Sequence, residues 1–203
     1  MTKTVMFDLG DVIVPFDFSR CHAALEKLCP YPAQEIPERI RSTGLVQLFE
    51  TGQVSPESFV EQVCRILELH VSYSEFWEIW SCIFLPETLI PESLLEGIRS
   101  RHRLLLLSNT NPVHFSMVRE RYPHLRHFDG YVLSYEVGVL KPSPEIYREA
   151  IRCAGCRPEE CFFTDDIASN VEAARREGID SVQFHSLSQL EDELRAREIG
   201  WQN

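Results

Sequence analysis

Val5-Met6-Phe7-Asp8-Leu9-Gly10-Asp11-Val12-Ile13-Val14 runs apolar into a carboxylate, passes a glycine and a second carboxylate, and turns apolar again. Val5 to Phe7 reads as a short interior strand, and Gly10 as the turn signal that bounds it. In open α/β sheets, ligands bind in the crevice beyond the carboxyl ends of the strands. That rule sets Asp8 at the working edge of such a sheet, as a candidate nucleophile or metal ligand. A plainer reading, in which Asp8 or Asp11 caps a loop beside a glycine, fits this stretch as well. The rest of the chain decides between them.

Downstream, positions 17 to 90 contain no alternating strand pattern. Helical spacing dominates: Cys21, Ala24, Leu25 and Leu28 share one face, and Phe59, Val63, Ile66 and Leu67 share another. Ser55-Pro56-Glu57-Ser58 supplies a helix start, with Ser55 as N-cap and Pro56 at the first helical position. Ser74-Glu75-Phe76-Trp77 opens another, whose Phe76, Trp77 and Trp80 read as packing groups. The region is expected to be a small helical module inserted after the first strand.

From residue 91 onward, helical segments alternate with short buried runs, the pattern of βαβ units and a parallel sheet. Strands are expected at Leu104 to Leu107, Gly130 to Leu133, Cys161 to Thr164 and Ser181 to Phe184. Helices are expected at Leu94 to Arg101, Val113 to Arg121, Pro144 to Cys153, Ala168 to Glu177 and Leu187 to Arg197. The fold class is thus α/β, a Rossmann-like core with a five-stranded, mainly parallel sheet and an inserted α-helical cap. The core takes residues 1–16 and 91–203, the cap residues 17–90. The Gly200-Trp201-Gln202-Asn203 tail is expected to be loosely held.

The residues following these strands carry the chemistry. Asp8 follows the first; Ser108, Asn109 and Thr110 follow the second; Asp165 and Asp166 follow Cys161 to Thr164, with Asn170 four residues beyond Asp166. Gly138-Val139-Leu140-Lys141-Pro142 delivers a lysine in a proline-restricted loop before a helix. A carboxylate can attack phosphorus and form an aspartyl-phosphate, splitting one hard displacement into two easier ones. Mg²⁺ on hard oxygen ligands would offset the repulsion between that anion and a phosphate, and one or two carboxylates suffice to hold it. Asp8 and Asp166 fit this count. Lys141 would neutralise charge on the carboxylate and the phosphoryl group, and Ser108, Asn109 and nearby N–H groups would bind the transferring oxygens. Asp165 and Asn170 would orient the metal ligands from behind. Each signal alone is weak; together, in order and each at a strand end, they reinforce one another.

Composition narrows the classes of function. Among 203 residues, 31 acids and 20 basic groups give a formal net charge of −11, a poor footing for nucleic acid or an anionic membrane. No apolar run reaches membrane-spanning length, and Asp8 and Asp11 interrupt the N-terminal apolar segment, which points to a cytoplasmic protein. Seven cysteines, an odd number with no paired framework, fit reduced thiols. Cys153, Cys156 and Cys161 lack a fourth ligand at zinc spacing and read as packing groups.

With these residues in place, the chain resembles the haloacid dehalogenase (HAD) superfamily of hydrolases along nearly its whole length. Asp8 matches the nucleophile of the first motif, Ser108 the second motif, Lys141 the third, and Asp165-Asp166 with Asn170 the fourth. The Phe7-Asp8-Leu9-Gly10 start is similar to that of a capped subgroup containing sugar-phosphate phosphatases and the N-terminal phosphatase domains of epoxide hydrolases. The resemblance implies Mg²⁺ as cofactor, with the Gly10 carbonyl joining Asp8 and Asp166 as a metal ligand, and a small-molecule phosphate monoester as substrate. The chain departs from the superfamily's pattern at Gly10, where most members place a second aspartate as general acid/base. Asp11 is a candidate for that role, with capping of its own loop the simpler reading.

Two other functions compete. A metal-independent 2-haloacid dehalogenase would use the same aspartate but leave the Asp165-Asp166 pair without purpose. A non-catalytic binding protein on the same fold would have no use for Asp8, Lys141 and Asp166 together. Substrate choice is expected to lie with Phe16, Arg20 and Leu48-Phe49-Glu50-Thr51-Gly52. Neither the substrate nor the oligomeric state follows from the residues.

Overall fold

Strand β1 (Thr4–Phe7) lies at the centre of a five-stranded sheet and is buried on both faces. In the computed structural model, which describes residues 1–201, the strand order is β3-β2-β1-β4-β5, with β2 at Arg103–Ser108, β3 at Gly130–Leu133, β4 at Cys161–Asp165 and β5 at Asp180–Gln183. All four pairings are parallel, so the sheet is wholly rather than mainly parallel. Continuous apolar runs such as Leu104–Leu107 follow from this arrangement, because a parallel sheet is covered on both sides.

Side chains alternate between two packed layers. Val5, Phe7, Leu104, Leu106 and Phe162 face one side, with α6 (Glu92–Arg99), α7 (Pro112–Arg121) and α11 (Leu187–Ala196). Met6, Leu105, Leu107 and Phe163 face the other, under α9 (Pro144–Ala154) and α10 (Ala168–Arg176), while the short α8 (Ser134–Val137) follows β3. Gly178, at φ +86°, closes α10 as expected from the sequence.

Between β1 and α6 the chain builds five helices: α1 (Phe18–Leu25), α2 (Ile36–Arg41), α3 (Leu45–Glu50), α4 (Pro56–Leu67) and α5 (Tyr73–Trp80). Ser55 caps α4 as expected, accepting from the Ser58 N–H at 3.2 Å. The α5 start lies two residues earlier than the sequence suggested, because Ser72 and Glu75 form a reciprocal capping box. Leu28 is exposed rather than on the buried face, because α1 stops at Leu25. Aromatic rings hold the insertion together: Phe59 stacks on Phe49 at 4.3 Å and meets Trp80 edge-on at 5.2 Å. The two chain segments that join the insertion to the sheet run side by side, paired at Phe16 and Phe84.

All seven cysteines are free. Trp201 is half-buried against the core, with Arg195 over its ring at 5.3 Å, so that part of the tail is packed. Gln202 and Asn203 lie outside the described residues. No described helix is long and apolar enough to cross a membrane.

Candidate active site

Strand register brings the polar residues to one edge. The pairing of Phe7 with Leu106 and with Thr164 puts Asp8 level with Leu107 on β2 and Asp165 on β4. The Asp8 N–H donates to the Thr164 carbonyl at 3.0 Å, which extends the sheet by one residue and fixes where the side chain departs.

Lys141 is the hub. Its Nζ lies 2.8 Å from Asp8 Oδ1 and 2.6 Å from Asp165 Oδ2, and donates to the Leu107 carbonyl at 3.0 Å. Asp165 is fully buried and accepts in addition from the Ile167 N–H at 2.8 Å and from Asn170 Nδ2 at 3.0 and 3.1 Å. Asp8, Asp165 and half-buried Asp166 each offer a carboxylate oxygen within 4.8 Å of the others. The sequence reading set Asp165 behind the ligands; the structure includes it in this group, though its oxygens already hold the lysine and the amide.

Three carboxylates against one ammonium leave this cluster a formal charge of −2. The electrostatics express the deficit. Burial pushes the Asp8 carboxyl up to about 7 against the pull of Lys141, and Asp165 pushes the same way. Asp166 is raised as well, by burial first and then by Asp165 and Asp11. Burial acts to lower Lys141, but its two carboxylate neighbours outweigh that and hold the ammonium form. An all-oxygen donor set short of two positive charges suits a hard divalent cation.

The loop after β2 is clamped. Asn109 grips the Lys141 main chain at 2.7 and 3.0 Å, the Thr110 N–H donates to Ser134 Oγ at 3.0 Å, and Asn111 caps α7 by accepting from the His114 N–H at 2.9 Å. These bonds hold buried Ser108 at the sheet edge. The Asn109 side chain, expected to bind phosphate, is thus engaged with Lys141.

Gly10 and Asp11 form the turn after β1. Asp11 adopts φ +49° and its Oδ1 accepts from the Phe16 N–H at 3.3 Å, so it does cap its own loop. A β-carbon placed on Gly10 would lie 2.6 Å from Phe16 Cε1. The ring therefore occupies the room that an aspartate side chain would need.

A cavity of about 450 Å³ opens above this edge. Leu9, Gly10, Ser108, Asn109 and Thr110 form its floor, Phe16 lines it from the joining segment, and the insertion supplies walls that include Phe49, Glu50, Phe59 and Trp80. Arg20, expected near substrate, is an exposed helix residue that does not line the cavity; Arg41, His22 and His114 do. The sequence reading missed these three. His114 follows an N-cap by three positions and looked like any helix residue.

The family described as haloacid dehalogenase-like hydrolase matches residues 2–178 of the chain. The chain is 30% identical over 200 residues to a D-ribitol-5-phosphate phosphatase of Bacteroides thetaiotaomicron, spanning 96% of this chain and 97% of that protein. It is 26% identical over 198 residues to a phosphorylated carbohydrates phosphatase of Thermotoga maritima, with 92% and 87% covered. Among solved structures, a HAD family enzyme of Bacteroides thetaiotaomicron in complex with magnesium and inorganic phosphate is similar with a TM-score of 0.83 at 29% identity, covering 94% of this chain and 99% of that one.

Proposed function

From the premise that this chain belongs to the haloacid dehalogenase-like hydrolases, we propose that it is a Mg²⁺-dependent phosphatase acting on a small phosphate monoester of the polyol- or sugar-phosphate class. The observation that carries this reading is the −2 cluster around Asp8, set beneath a cavity of about 450 Å³ with Ser108 in its floor. The relatives above are named as phosphatases of sugar-type phosphates, which supports the substrate class.

Asp8, Asp166 and the Gly10 carbonyl would hold the cation, which when bound would supply charge neutralisation between the carboxylate and the phosphoryl oxygens. Ionised Asp8 attacks phosphorus, and its Oδ forms the new bond as the ester oxygen leaves. Lys141 stays protonated through the step, steadying Asp8 and the added negative charge. Ser108 Oγ and the Asn109 main-chain N–H bind phosphoryl oxygens, while the Asn109 amide keeps Lys141 at the correct height. Asp165 and Asn170 orient Lys141 and the metal side of the site. The helical insertion serves as the cap, shutting water out and reading the alcohol part of the substrate.

Phosphate release from aryl and polyol phosphates, with Mg²⁺ and with EDTA, tests the reading. Release that needs the metal and disappears in Asp8→Asn is expected. Release from 2-haloacids of halide instead, independent of metal, would replace it with the dehalogenase reading, which the uncompensated carboxylates disfavour.

A further inference from the structure

We propose that Glu50, on the helical insertion, is the general acid/base of the reaction, delivering a proton to the leaving alcohol from the insertion's wall of the cavity. The inference rests on the phosphatase reading above and adds to it the proton donor that the core lacks.

The core cannot supply one at position 10, because Gly10 has no side chain and the Phe16 ring fills the space. Asp11 is turned into its own loop, accepting from the Phe16 N–H. Glu50 ends α3 and lines the same cavity as Gly10, Ser108 and Asn109. It is half-buried at the cavity wall.

The local fold sets its position. Phe49, its neighbour, is locked against Phe59, and the Thr51 hydroxyl donates to the Gln47 carbonyl at 2.8 Å, closing the helix. Gly52, at φ +70°, brings the chain so close to the Tyr135 carbonyl that any side chain there would collide. The end of α3 is thereby pressed onto the segment after β3, which fixes how far Glu50 stands above the floor.

Its chemistry suits the task. Burial alone raises the Glu50 carboxyl to about 7, with no cation or hydrogen-bond donor contributing an opposing pull. A group poised there can give a proton and take one back near neutral pH. The other titratable groups lining the cavity are less able. Burial pushes the His114 ring down to about 4 and also lowers His22, and Arg41, which pairs with Glu38 at 3.0 Å, is a permanent cation.

The steps balance. Asp8 Oδ bonds to phosphorus, the ester P–O bond breaks, and its electron pair goes to the alcohol oxygen, which takes the proton from Glu50. The Glu50 carboxylate then removes a proton from water, whose oxygen attacks the aspartyl-phosphate. The P–O bond to Asp8 breaks, its electrons return to the carboxylate, and inorganic phosphate leaves.

The test compares first-turnover rates of Glu50→Gln and wild type on an alkyl polyol phosphate and on 4-nitrophenyl phosphate, whose phenolate departs without a proton. A fall of about 10²- to 10⁴-fold in alcohol release, with nitrophenolate release in the first turnover changed by less than about threefold, is expected. Glu50→Asp should recover part of the alkyl rate. Equal losses on both esters would reduce Glu50 to a structural or binding group, and unchanged alkyl release would remove it from the reaction; either overturns the proposal. A wild type that releases phosphate from neither ester would instead overturn the phosphatase reading beneath it.

Discussion

Asn109 holds the main chain of Lys141 from both sides, its Oδ1 accepting from the Lys141 N–H at 2.7 Å and its Nδ2 donating to the Lys141 carbonyl at 3.0 Å. The two residues lie on different loops, so the amide ties the end of β2 to the loop that carries the hub of the site. Asn109→Ala removes both bonds, at a cost of about 1 to 3 kcal/mol. Urea unfolding should show this loss, together with slower phosphate release. Unaltered stability would mean that the Lys141 loop is held by other contacts.

Asp8→Asn should lower phosphate release by about 10³-fold or more while leaving the fold intact. Mg²⁺ at a hundred times its Kd should stabilise the wild type by about 2.7 kcal/mol. Asp166→Asn should lose most of that stabilisation, because its carboxylate is one of the three in the cluster. A melting curve with and without Mg²⁺ checks this; an equal shift in the variant would place the ion elsewhere.

Gly10→Ala should destabilise the protein by about 1 to 3 kcal/mol, through overpacking against Phe16. The same substitution made in a Phe16→Ala background should cost less, giving a coupling of about 0.5 to 3 kcal/mol in a double-mutant cycle. Additive effects would show that the ring yields without resistance.

Glu50 makes stability depend on pH in a defined direction. Its folded value of about 7 lies above the ordinary 4.5, so between these limits the folded state keeps a proton that the unfolded state has released. Its contribution to stability therefore falls as pH rises from about 4.5 to about 7, then levels off. Glu50→Gln lacks this penalty and should gain roughly 3 kcal/mol relative to wild type at pH 8 over pH 4. Urea midpoints at the two pH values test it; parallel profiles for the two proteins would show that the carboxyl is well solvated.

Most of the sheet and the polar residues along its edge could be read along the chain, because both are one-dimensional patterns. A buried run such as Leu104–Leu107 followed by Ser108, or Cys161–Thr164 followed by Asp165, announces a strand and what stands at its end. The insertion was readable only as helical: α2 and α3 have six residues each, too few for a period to stand out. Contacts between distant loops left no trace in the sequence. Asn109 and Lys141 are 32 positions apart, and the engagement of that amide appears only once both loops are folded. The same holds for the surroundings of Glu50, which the sequence placed only within the stretch expected to choose the substrate. Its isolation from any partner depends on what surrounds it in space.

The placing of β1 between β2 and β4 sets how long the site endures. An amide in a strand bonded on both sides and covered on both faces trades its hydrogen for deuterium only when the sheet itself comes apart. The Asp8 amide, tied to Thr164, should belong to that slowest class. Asp8 and the fold then share one lifetime: fluctuations that fray the edges at β3 and β5 leave Asp8 seated, and the strand that carries it is among the last parts of the molecule to let go.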